Sequence, residues 1–346
     1  MECGKGAMMA RIGWLLATAA LSLVMLPMPG CEEPKQMPGL FSSPSSPPSP
    51  GGDLSSQAGQ IVLDGLADPD PQIRANAVEV VVTTRQVRFM PRVQKLLSDE
   101  AVPVKFLATM AVGDLEYTMA KNDVGQLLND TNPNIKIAAA YAMMKLGDMQ
   151  FYKVVRDQVT SEDQTVRANA ALLLGKSGQK DAVRFLYWTL QRPDSSDKVV
   201  FQALESIAMQ HDERIYPKLW SRLISKYADD RLLGIRAMGA LGTEQAKNAI
   251  ITMLDDGVLE VRLAAAEQLG RLGDPIGEVK VAEVFDKNLL AEMDPESQFR
   301  VRVLSALAIG EIGSESLNKH LPQLLQDPLK PVRLAAAKAV LRRTAK

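Results

Sequence analysis

The sequence predicts an all-α fold, an α-solenoid of about nine stacked helix pairs. Hydrophobic residues make up 46% of the 346 positions and aromatics only 5%, with Ala, Leu and Val abundant, which favours helix. One pattern recurs: an acidic or Pro-containing turn, then Val or Ile followed by Arg or Lys, then Ala-rich apolar positions. Its basic residue is evenly spaced, since Arg74, Lys105, Lys136 and Arg167 follow one another at a constant step. Self-similarity at such a period marks a repeat array in which each unit covers its neighbour's apolar face.

Composition excludes several function classes. Forty Lys and Arg against 41 Asp and Glu leave a net charge of −1, so no nucleic-acid partner is expected. Two cysteines (Cys3, Cys31) and two histidines (His211, His320) exclude a disulfide framework and a Cys/His zinc site, and no metal or cofactor is expected.

At the N-terminus, Lys5 and Arg11 precede the apolar run Ile12–Leu26. That run is shorter than the roughly 20 residues a membrane-spanning helix needs, so residues 1–30 read as a secretory signal. The run ends Leu26-Pro27-Met28-Pro29-Gly30-Cys31. Gly30-Cys31 resembles a bacterial lipobox, which implies cleavage before Cys31, a lipid on Cys31 and a place in the cell envelope on a membrane. Met28 and Pro29 stand where that motif usually carries Leu and a small residue. Without that processing the chain is simply secreted. Once residues 1–30 are removed, 38 bases face 40 acids and no second cysteine remains to pair with Cys31.

Residues 31–55 read as a tether. From Phe41 to Gly52, eleven of twelve residues are Ser, Pro or Gly, too few apolar groups to offset ordering entropy. Glu32 to Asp53 would reach roughly 25 Å as a flexible coil and about 70 Å if extended.

Residues 56–346 carry the repeats. The pattern continues at Val166-Arg167-Ala168, loosens where Val200 and Gly234 take the basic position, and recovers at Arg262, Arg302 and Arg333. Each unit divides into a shorter first helix, as at Gly59–Leu66 or Leu317–Leu325, and a second, as at Pro331–Arg343. Asp or Asn with Pro at the turn caps the second helix. Leu-Gly pairs ending at Gly147, Gly242, Gly270 and Gly273 mark second-helix ends. These units resemble HEAT repeats, the short bacterial kind noted in phycobilisome lyases, within the armadillo-like helical class. The resemblance implies a curved rod of stacked helix pairs, a fold that hosts unrelated roles.

It also implies a role for the basic residues. In HEAT-like repeats the base commonly pairs with an acid of a neighbouring turn, so Arg74, Lys105, Lys136, Arg167, Arg262, Arg302 and Arg333 read as a structural ladder. Asp68, Asp99, Asp130, Asp163, Asp256 and Asp327 stand shortly before their bases, within the preceding turn.

Units five and six, residues 180–242, break the pattern and concentrate aromatics. Tyr187, Trp188, Tyr216, Trp220 and Tyr227 are candidate partner-binding residues, with core packing the alternative. Tyr187 and Trp188 are adjacent, so one of them lies nearer the surface. The lengthened step from Arg262 to Arg302 predicts a longer loop at Asp286–Gln298. A di-iron centre of the HEAT-like enzymes needs His-Glu pairs, but His211 is followed by Asp212 and His320 by Leu321. With no phosphate loop or nucleophile elbow either, the chain is expected to be no enzyme. The expected function is an envelope-tethered scaffold for an unidentified protein partner, then a small-molecule or glycan binder on the concave face, then a lyase-type enzyme.

Overall fold

The computed structural model describes residues 53–344; the signal, lipid and tether readings on residues 1–52 lie outside the described residues. Among the described residues there is no strand, and the helices fall into nine antiparallel pairs. In chain order they are α1 (Leu54–Leu66), α2 (Pro71–Thr83), α3 (Met90–Lys95), α4 (Val102–Asp114), α5 (Lys121–Leu127), α6 (Pro133–Lys145), α7 (Tyr152–Asp157), α8 (Gln164–Lys176), α9 (Ala182–Gln191) and α10 (Asp197–Met209). The rest are α11 (Tyr216–Leu223), α12 (Ala228–Leu241), α13 (Glu244–Thr252), α14 (Leu259–Arg271), α15 (Glu278–Asp286), α16 (Pro295–Ile312), α17 (Glu315–Asn318), α18 (Leu321–Leu324) and α19 (Lys330–Thr344). The helical body thus starts at Leu54, inside the predicted tether. The predicted loop Asp286–Gln298 is partly helix, because Asp294 caps α16 through the Glu296 and Ser297 amides and Pro295 opens it.

The turn between the helices of a unit follows one plan, met in full at some units and in part at others. Arg74 donates from Nη1 to the Asp68 carbonyl at 2.8 Å and clasps the Asp99 carboxylate with Nε and Nη2, both at 2.8 Å. Asp99 Oδ1 also accepts the Ala101 amide at 2.9 Å, so the acid of one turn holds both its own backbone and the preceding unit's base. Lys105 with Asp130 at 3.4 Å and Arg302 with Asp327 at 2.9 Å repeat this, while Arg167 takes Asp194 at 3.0 Å. Asp163 instead caps α8. No ion pair of Lys136 is seen among the described residues. Arg262 donates to the Asp256 carbonyl and Arg333 to the Asp327 carbonyl, each at 2.7 Å.

This geometry corrects the register of units five and six. Arg231 donates to the Ser225 carbonyl at 2.9 Å, reaching back along the chain as far as Arg74 does, and pairs with Asp256 at 2.7 Å. Arg231, not Gly234, is therefore the base of unit six. In unit five, Lys198 follows Arg167 at the same step that separates the earlier bases, and it donates to Thr165 Oγ1 at 3.2 Å. Lys198 thus keeps the period, and two extra residues between Lys198 and Arg231 shift only the step into unit six.

The second helices of the first eight units are each followed by a left-handed residue: Arg85, Glu116, Gly147, Gly178, His211, Gly242, Gly273 and Gly313. Gly270 is not an end. It lies inside α14, where a Cβ would meet the Ile312 amide nitrogen of α16 at 2.7 Å.

The array closes on itself. Each second helix packs on the next, and α19 packs on both α1 and α2. At this seam Leu334 lies 3.2 Å from where a Cβ on Gly65 would sit, and Lys330 pairs with Asp68 at 2.7 Å. Asp68 is the ladder acid of unit one, so the last unit pairs onto the first, through Lys330 and not through the ladder base Arg333. The curved rod becomes a ring, with first helices outside and second helices inside.

The inner helices are covered on every side. Ile137 to Met144 in α6 is an unbroken buried run, which no single helix face can supply at 3.6 residues per turn. The concave surface expected to bind a glycan is the closed interior of the ring.

Candidate functional site: an aromatic and arginine patch on the outer helices

The outer helices α9 and α11 hold the aromatics of units five and six. In α11, Leu219 and Leu223 are buried while Trp220 remains 38% exposed, because residues three and four apart share a face and the intervening residue points away. Tyr216 stacks on Trp220, with ring centroids 6.4 Å apart and an interplanar angle of 19°. Ile224, 64% exposed, and Tyr227, 49% exposed, extend this surface to the turn before α12. In α9, Trp188 is 43% exposed while Tyr187 packs partly into the core.

Cations lie on these rings. The Arg192 guanidinium sits 4.7 Å from the Trp188 centroid, Arg214 5.4 Å from Tyr187 and Lys226 4.8 Å from Tyr227. The arginines are held by acids, Arg192 by Asp194 and Arg214 by Asp212. Burial, then the Asp212 charge, pushes the Tyr187 hydroxyl pKa up. Tyr187 therefore joins units five and six. Trp188, Trp220 and Tyr227 present free aromatic surface, and Tyr216 supports Trp220. The five candidates divide into two roles.

Two features escaped the sequence reading. One is a surface groove of about 880 Å³ between α15 and the first helix of unit nine. Pro322 splits that helix into α17 and α18, and a Pro inside a predicted helix was the available signal. His320 lines the groove and stacks at 3.9 Å on Phe285, which is not part of the lining, and burial followed by the Lys319 charge lowers the His320 pKa. His211 instead takes a left-handed turn, with Nδ1 3.1 Å from the Leu241 carbonyl.

The other is a charged cluster at the ring's centre. Arg236 of α12 pairs with Glu205 of α10 at 2.6 Å and feels Glu79 of α2 and Glu267 of α14. The Glu267 carboxyl is pushed up to about 7 by burial, with Glu311 adding and Lys338, Arg271 and Arg236 opposing. The native state thus holds a proton that the unfolded chain releases near the ordinary 4.5, and stability falls as pH rises between these values. We expect Glu267→Gln to remove that fall and stabilise the ring at pH 8 by about 3 kcal/mol. Urea midpoints measured from pH 4.5 to pH 8 check this, and parallel curves for both proteins would refute it.

No family model and no curated protein matches the chain. Among solved structures it is similar to human deoxyhypusine hydroxylase in complex with glycerol, at 17% identity and a TM-score of 0.37, covering 76% of this chain and 99% of that one. It is also similar to the complex of CpcE and CpcF of phycocyanin lyase from Nostoc, at 18% identity and a TM-score of 0.44, covering 72% of this chain and all of that one (100%). A third is a karyopherin bound to the extreme C-terminus of a protein phosphatase, at 14% identity and a TM-score of 0.33, covering 81% of this chain and 37% of that one. These are helical-repeat proteins, and the likeness concerns the fold alone. It corrects one expectation. Solved chains of this architecture include a hydroxylase and a lyase, so the reading of the chain as no enzyme does not stand.

Proposed function

We propose that this chain is a ring-shaped scaffold of the bacterial cell envelope, held at a membrane by a lipid on Cys31, that recruits a protein partner through the outer aromatic patch. The observation that carries this reading is the exposure of Trp188, Trp220 and Tyr227 on the outside of a body whose interior is closed. Aromatic side chains dominate interface hot spots because they bury a large area at small entropic cost, and arginine joins them through its planar fork of donors. Tethering adds effective concentration to that contact.

Co-purification from native membranes tests both parts. Trp188→Ala with Trp220→Ala is expected to lower recovery of the partner at least about tenfold while the circular dichroism spectrum is unchanged. Unchanged recovery, or loss of helicity, would sink the patch. Cys31→Ala is expected to move the protein to the soluble fraction, and equal partitioning of both forms would sink the anchor.

A second reading draws on the groove between α15 and α17. Its volume of about 880 Å³ falls in the range of small-molecule sites, and the His320 ring in its lining is held by stacking on Phe285. A thermal shift with a ligand panel, lost on His320→Ala, would favour it.

A further inference from the structure

The two rims of the ring differ. One carries the ladder turns. The other carries the second-helix ends and the starts of the first helices, among them Leu54, where the described helical body begins. On this second rim, three successive units expose apolar side chains in the 3₁₀ turns that lead into α3, α5 and α7. Val87 is 48% exposed, Met119 76% and Met149 46%. Units five, six, seven and nine place Lys180, Glu213, Glu244 and Glu315 at the corresponding exposed positions. Unit eight exposes Ile276 at 51%, but between the acids Asp274 and Glu278, so the stretch that is both apolar and basic is that of units two to four.

From these observations we infer that the rim formed by units two to four docks on an anionic membrane surface. The inference rests on the reading that the chain is held at an envelope membrane. Two features of the molecule favour a bilayer over a protein. Around the apolar tips Arg85, Arg88, Arg92, Lys121 and Lys153 outnumber Glu116, Asp123 and Asp148, which complements anionic headgroups. The chain before residue 53, including the Cys31 anchor, joins the ring on this same rim, so a lipid there would draw the rim and not the ladder face to the bilayer. Shallow apolar tips flanked by bases bury into the headgroup layer without a groove. The flexible thioethers of Met119 and Met149 suit a surface that has no fixed shape. In unit six Ile224 and Tyr227 lie at the far end of α11, toward the ladder rim. A docked ring would leave that part of the patch open to a partner.

Residues 32–346 contain the whole closed core, so they fold without the leader, and they carry no lipid. The test is co-sedimentation of this chain with phosphatidylcholine vesicles, with and without phosphatidylglycerol. Binding is expected only to the anionic vesicles. Met119→Asp with Met149→Asp is expected to lower the bound fraction at least about tenfold at unchanged melting temperature, since both side chains are exposed. Wild-type protein that stays in the supernatant, or a variant that sediments as well as wild type, would overturn the inference. Loss of a co-purifying protein from the variant, with vesicle binding intact, would assign the rim to a protein and overturn it too. Because this chain lacks Cys31, its failure is separate from failure of the lipid reading, which the Cys31→Ala fractionation reports.

Discussion

A circular permutant that joins residue 344 to residue 54 through a short Gly-Ser linker, and opens between Gly178 and Gln179, is expected to fold and unfold in one cooperative transition. In an open rod the two original ends lie at opposite extremes, and a short linker would tear both end units. In the ring they are neighbours. α19 runs towards the rim where α1 begins, and the two helices pack directly. The linker would replace one more turn of the kind that already joins each unit to the next. Gly178 is a suitable opening because it is a left-handed turn glycine whose Cβ position faces open space. Leu334→Asp examines the same seam from inside. Leu334 is 2% exposed and touches α1, so a carboxylate there loses apolar contact and meets no water, costing about 3–5 kcal/mol. At the end of a rod that change would fray one unit. At a seam it uncovers the faces of α1, α2 and α19 together, and the whole transition should move to lower urea. A permutant that aggregates, or a Leu334→Asp protein whose main transition keeps its midpoint, would refute the closed ring.

Most of the helix-pair architecture was legible, because the signals are local. The even step from Arg74 through Arg167, Pro71 and Pro133 at helix starts, and Gly147 and Gly273 at helix ends each reflect one short turn of chain. Closure was not legible, because it depends on a small rotation per unit summed over the whole array, and no residue encodes that sum. The contact that reveals it, Lys330 with Asp68, joins residues of the last and first units. Arg231 stands one constant step before Arg262, and its bond to the Ser225 carbonyl fixes its place; the apolar runs beside Val200 and Gly234 concealed it. Arg85, Glu116 and His211 were invisible as helix ends because none is the glycine that a left-handed turn favours. The aromatics of units five and six stood out by composition. Which of them faces solvent depended on the tilt of α9 and α11, which composition does not contain.

Arg167→Ala is expected to cost about 2–4 kcal/mol, from the cavity and the lost hydrogen bond, the largest loss of any single rung of the ladder. Arg167 is the largest side chain of the core with no exposure. Its Nε donates to the Ser161 carbonyl at 2.8 Å and its Nη2 to Asp194 at 3.0 Å. Truncation leaves a cavity and strips the Ser161 carbonyl of this donor. The acid is not stranded, because Asp194 is half exposed and keeps Arg192, the main reason its carboxyl stays well below the usual carboxylate range. The loss should therefore arise from burial, not from the charge pair. Arg167→Met separates the two, since it fills the volume but neither donates nor carries charge. Recovery of more than half of the lost stability would show that packing holds this rung. Recovery of none would place the energy in the hydrogen bonds. Lys105→Ala, at a rung of 3.4 Å with 23% of the lysine side chain exposed, should cost less than about 1 kcal/mol because water competes for the pair. Urea unfolding of the three variants against wild type supplies the comparison. Equal losses for Arg167→Ala and Lys105→Ala would mean that depth in the ring does not set what a rung contributes.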